Sequence, residues 1–170
     1  MRLRRPVGVK PGSGVPCVVL LLVAMGSGAY GQSPQTNAEV PFASSAEIEA
    51  AGTRAAASTG AVSRLLPDGV YQYFVAARNQ PAAAEIHRQW SDVTVIRSGT
   101  GILRTGHTIG NQREISPGEW RGDIVENSIE RQLGAGDLVV IPAGMAHQFT
   151  PTGNIPLVYV TVKIPVDVKK

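Results

Sequence analysis

The chain has 170 residues, a formal net charge of +3 and a sequence pI near 9.3, but the basic excess is local. Segment 1–31 holds Arg2, Arg4, Arg5 and Lys10 and no acidic residue, which leaves 12 basic residues against 13 acidic ones, about −1, over 32–170. That excludes the pI as an electrostatic footprint for nucleic acid, which requires Lys and Arg clustered on the folded domain.

Taken in chain order, Arg2 to Lys10 form a positive n-region, Val15 to Met25 an apolar run of 11 residues, and Ala29 and Gly31 the small residues of a cleavage site. This is the pattern of a secretory signal peptide. The run is too short to span a bilayer, which takes about 20 residues. Cys17, the only cysteine, falls inside that run. A chain processed after Gly31 therefore has no thiol for a disulfide, a nucleophile or a metal, and suits a secreted or periplasmic location. No stable membrane insertion is expected once the signal is removed.

Residues 32–68 read as a polar, Ala-rich leader with one short helix. Ser44 and Glu47 match a capping box and Ala46 to Ala57 favours a helix, after which 55–60 decays into a linker. From residue 69 to 170 the texture is that of short β-branched runs punctuated by Gly, Pro and Asn. Expected strands are 70–78, 84–88, 92–98, 102–106, 124–133, 137–141, 147–150 and 157–164, with turns at 98–101, 134–137, 142–144 and 152–154. The fold class is all-β, a sandwich or barrel with a small helical preface.

Two stretches carry a family resemblance. Gly136, Pro142, Gly144 and His147 stand at spacings that resemble the second motif of the cupin superfamily, jelly-roll barrels of conserved topology. Glycine and proline make the turns that bring His147 onto a returning strand. Upstream, Glu85, His87, Asp92 and Gly99 stand at the spacings of the first motif, with Glu85 where the family commonly has a histidine. A competing register takes His87 and Gln89 as the pair but sets Asp92 one residue early. Pro151 stands where the family often has Asn after the second-motif histidine. Residues 84–87, 91–96, 118–122 and 141–147 also resemble a secreted single-domain subgroup of type 2 cupins.

The resemblance implies a divalent metal held by Glu85, His87, Asp92 and His147. Glu85 and His87 share a strand face, and two imidazoles with two carboxylates make an N/O set for Mn(II), Fe(II), Ni(II) or Zn(II). A divalent ion would offset carboxylates that are costly to bury alone. The competing reading has His87 hydrogen-bonding Glu85 or Asp92 in a metal-free pocket. Gln89, Trp90 and Arg121 are candidate pocket residues, although Trp90 serves equally as an exposed hairpin anchor. Glu119 and Arg121 read first as a rim ion pair of little energetic value. His107 reads as a solvated turn residue.

No nucleotide-binding fingerprint or Gly-x-Ser-x-Gly elbow occurs. The expectation is an exported cupin acting on a small molecule, with dioxygenase, isomerase, lyase and hydrolase chemistry all open. The alternative is a non-catalytic protein that binds a small molecule or carbohydrate. A homodimer is implied by resemblance alone.

Overall fold

The computed structural model describes residues 40–67 and 69–166; the signal-peptide reading of 1–31 lies outside them. Helix α1 (Ser45–Ala57) is followed by strands β1 (Val62–Arg64), β2 (Gln72–Arg78), β3 (Ala84–His87), β4 (Trp90–Ser98), β5 (Gly101–Gly106), β6 (Thr108–Ile109) and β7 (Arg113–Ser116). Then come β8 (Glu119–Gly122), β9 (Val125–Glu126), β10 (Ile129–Leu133), β11 (Leu138–Ile141), β12 (Ala146–Pro151) and β13 (Leu157–Pro165). No helix among the described residues is long and apolar enough to cross a membrane.

Two antiparallel sheets form the molecule. One runs β1-β2-β13-β4-β11, the other β10-β5-β12-β3-β8-β7, and β6 with β9 makes a separate two-stranded ribbon. Alternation along each strand sends one set of side chains between the sheets. Ile96, Ile141, Leu157 and Tyr159 from the first sheet meet Leu103, Leu133 and Phe149 from the second in one core. Tyr159 and Phe149 stack across the gap with ring centroids 4.5 Å apart.

Both outer faces are partly covered. Helix α1 begins with the expected capping box, Ser44 and Glu47 satisfying each other's backbone N–H groups. Its buried Ala51 and Ala55 pack toward β1 and β2, and Gly52 lies against Val75 and Val158. On the other sheet, Ala84, Ile86 and Ala146 face outward and are covered by Ile109, Val125 and Trp120.

Four differences from the expected elements matter. Residues 62–64, inside the segment read as a leader, supply a strand to the first sheet, since β1 pairs with β2 through Val62–Ala76 and Arg64–Phe74. The expected strand 124–133 is two strands with different partners, divided at Asn127, whose φ is +48°. The short β6 falls where no strand was expected. Strands β7 and β8 form a hairpin that the apolar pattern does not mark, because all four residues of β7 are exposed.

Tight turns close the barrel at both ends. At Gly99 φ is +78° and a Cβ would stand 2.3 Å from the Pro156 carbonyl oxygen, so only glycine fits. At Gly144 φ is +83°, and its N–H donates to the His87 carbonyl at 2.8 Å. Ala143 N–H donates to Ser91 Oγ at 3.1 Å. The turn that launches β12 is thereby tied to the ends of β3 and β4.

Candidate metal centre

Strand register converges the polar side chains. Glu85 and His87 alternate with Ala84 and Ile86 on β3 and therefore point inward. His147 on β12 pairs with Glu85, while on the other side of β3 Glu85 pairs with Arg121 and His87 with Glu119. From the facing sheet, Asp92 on β4 pairs with Lys163 on β13.

One donor atom each from Glu85, His87 and His147 lies within 4.8 Å of the others. His87 Nε2 stands 3.3 Å from Glu85 Oε2, and both histidines are 3% exposed. Two ligands about 2.1 Å from a shared ion in tetrahedral or octahedral geometry stand ~3.0–3.4 Å apart, so this pair has the spacing a metal requires.

The far nitrogens of both rings are occupied. His87 Nδ1 hydrogen-bonds Glu119 Oε2 at 2.5 Å, and His147 Nδ1 donates to the Met145 carbonyl at 3.1 Å. A hydrogen bond at Nδ1 leaves the neutral ring with its lone pair on Nε2, aimed at the shared centre. Glu119 is thus a partner that orients a ligand. The ion pair expected with Arg121 is present, Nη1 standing 3.6 Å away, but the carboxylate is only 22% exposed and is shared with His87. Arg121 also places Nη2 3.0 Å from Glu85 Oε2 and lines the cavity.

The expected fourth ligand is differently engaged. Both oxygens of Asp92 accept from Lys163 Nζ, at 2.9 and 3.1 Å. Oδ2 still faces the imidazoles, 3.7 Å from His87 Nε2 and 3.8 Å from His147 Nε2. Asp92 therefore stands beside the three-residue cluster, with its charge balanced by a lysine. Gln89 and Trp90 do not line the cavity. Gln89 is exposed, and Trp90 opens β4 opposite Pro165. The chain turns between β3 and β4, which carries both side chains past the cavity wall.

Electrostatics sets the two imidazoles apart. Burial works against a charge on Glu85, but the bond with His87 and the cationic groups around it, Arg121 among them, outweigh burial and hold the carboxyl well below its ordinary 4.5. Burial likewise opposes charge on His87, and its bonds to Glu119 and Glu85 reverse the balance, raising the ring above 6.5. Burial dominates at His147 and lowers its value, which keeps that imidazole neutral. Two nitrogens and a carboxylate oxygen, oriented and without sulfur, fit a divalent first-row metal.

The cluster opens into a cavity of about 450 Å³ between the sheets, walled by Phe74, Phe149, Tyr159 and Thr161 as well as by the polar groups. Arg78 lines it too, a residue that the motif reading did not single out.

No family model matches the chain, and no curated protein matches it in sequence. Solved structures do match in fold. The BH2720 protein of Bacillus halodurans superposes with a TM-score of 0.53 at 19% identity, over 77% of this chain and 86% of that one. A protein with a double-stranded β-helix domain from Klebsiella pneumoniae matches at 0.47 and 21%, over 65% and 82%. A cupin protein of Bacteroides fragilis matches at 0.46 and 13%, over 66% and 83%. This chain has the cupin fold. At such identities the likeness concerns the barrel alone, and the cupin barrel hosts many chemistries.

Proposed function

We propose that this cupin is exported and binds one divalent metal through Glu85, His87 and His147, acting on a small molecule in the cavity beside them. The observation that carries the reading is the close cluster of donor atoms from Glu85, His87 and His147, in which the Nδ1 atoms of both rings are already engaged. When bound, such a metal supplies a Lewis acid that polarises an oxygen of the ligand. The chain's own groups do the rest. Glu119 and the Met145 carbonyl hold the rings in the ligating tautomer. Asp92, facing both rings, is placed to exchange a proton with the ligand while Lys163 compensates its charge. The apolar walls, Phe74 and Phe149 among them, exclude water around the bound molecule. Export is supported by the charge and hydropathy pattern of 1–31.

The test is elemental analysis of the purified, processed protein together with its His147→Ala variant. One equivalent of metal in the first and none in the second is the expected result. A protein that neither holds nor takes up Mn, Fe, Ni or Zn ends the reading.

One observation favours a second reading. Glu85 Oε2 has Arg121 at 3.0 Å and His87 at 3.3 Å, so its carboxylate is partnered without any metal. In that case the cavity captures a small metabolite or carbohydrate by hydrogen bonds. Replacing His147 would then change ligand affinity in metal-free buffer.

A further inference from the structure

Three cations line the cavity, and they differ in what they hold. Arg121 is paired with Glu85 and Glu119, and Lys163 with Asp92. Arg78 has no carboxylate partner among the described residues. It ends β2, pairs with Leu157 of β13, and extends into the cavity. Two neutral acceptors fix its guanidinium: Nε donates to Tyr159 Oη at 3.2 Å and Nη1 to the Gly60 carbonyl at 2.7 Å. Nη2 has no partner among the described residues.

We propose that Arg78 anchors a carboxylate of the ligand, so that the cavity takes a small organic acid. The proposal deepens the reading of this cavity as a small-molecule site. Its geometry fits a guanidinium already ordered by two bonds, with its charge unspent in a half-buried place; such a group gains most from a carboxylate. The wall beyond it is aromatic. Tyr159 stacks on Phe149 at 4.5 Å, and Phe149 meets His147 edge to face at 6.2 Å. A ligand with its anionic head on Arg78 and an apolar or planar body along Phe149 and Tyr159 points its far end toward the His/Glu cluster. The charge balance agrees. Glu85, Asp92 and Glu119 offset Arg78, Arg121 and Lys163, and a divalent ion added to that balance leaves an excess that an anion complements.

The probe is benzoate against its uncharged isostere benzamide, titrated by calorimetry into the purified protein with and without added Mn(II). Benzoate is expected to bind at least about tenfold more tightly than benzamide in both cases. In Arg78→Met the benzoate affinity falls to that of benzamide, while benzamide affinity and metal uptake stay as in the wild type. Arg78→Lys retains part of the preference. A readout that needs no variant is modification of Arg78 by phenylglyoxal, mapped by mass spectrometry, which benzoate slows and benzamide does not. Failure of the wild type to bind benzoate, equal binding of the two probes, or an undiminished preference in Arg78→Met overturns the inference. Loss of metal uptake with the benzoate preference intact removes the metal reading and leaves this one standing.

Discussion

The two ends of the barrel interior are built from the same strands and have opposite contents. Along β13 the inward residues run Lys163, Thr161, Tyr159, Leu157; along β4 they run Asp92, Thr94, Ile96; along β12 His147 is followed by Phe149. At one end Leu103, Leu157 and Ile96 are sealed to 1% exposure or less. At the other, ion pairs and imidazoles border an open cavity. Thr94 and Thr161 mark the boundary, hydrogen-bonded to each other across neighbouring strands at 2.8 Å. A strand alternates faces every residue but can change polarity along its length at no cost to pairing. The filled end therefore carries the stability and frees the polar end for binding.

That division is open to test. Leu157→Ala at the sealed end should lower the unfolding free energy by about 2–5 kcal/mol in denaturant titrations. Metal stoichiometry should be unchanged; a loss of both would mean the ends are not separable. His147→Ala should do the reverse. It should weaken metal affinity by more than ~100-fold, about 2.7 kcal/mol, and shift the denaturation midpoint of the metal-free protein little. Glu119→Gln, which keeps the shape but removes the charge behind His87, should cost ~10–100-fold in metal affinity by competition with a chelator.

Acidity should act at the polar end alone. His87 must lose its proton to ligate, and its value lies above 6.5, so metal affinity should fall about tenfold per pH unit once pH drops through that raised value. The metal-free protein moves the other way. The stability that the protonated ring contributes is fully present below 6.5 and is lost as pH rises through the folded-state value. Denaturation curves of the apo-protein across that range check the sign. The smallest effect expected is on the outside: Ser44→Ala removes the cap of α1 and should cost about 1 kcal/mol, with no change at the metal.

Local chemistry in the sequence was enough to indicate the barrel and part of its polar end. Turn residues at 136, 142 and 144 have backbone requirements that few other residues meet, and the capping box at Ser44 needs only four consecutive positions. The β7–β8 hairpin escaped because neither strand alternates polar with apolar residues; β7 is exposed throughout and β8 is half-buried up to Gly122. With it went the role of Glu119, whose bond to His87 spans 32 positions and exists only through strand register. Arg78 is a similar case, 81 positions from the tyrosine that orders it. Lys163 alternates with valines on β13, and only the sheet order shows that it faces inward, against Asp92. Such pairings are non-local by nature, and spacing along the chain does not encode them.

The two imidazole clamps differ in kind. Behind His147 stands a main-chain carbonyl, which no substitution removes and no change of acidity alters. Behind His87 stands a side chain, and that carboxylate also touches an arginine on its own strand. The donor strength of one nitrogen is thus set by the backbone, and that of the other by whatever occupies position 119. Variation there offers a dial for the centre, one that leaves the barrel and the second nitrogen untouched.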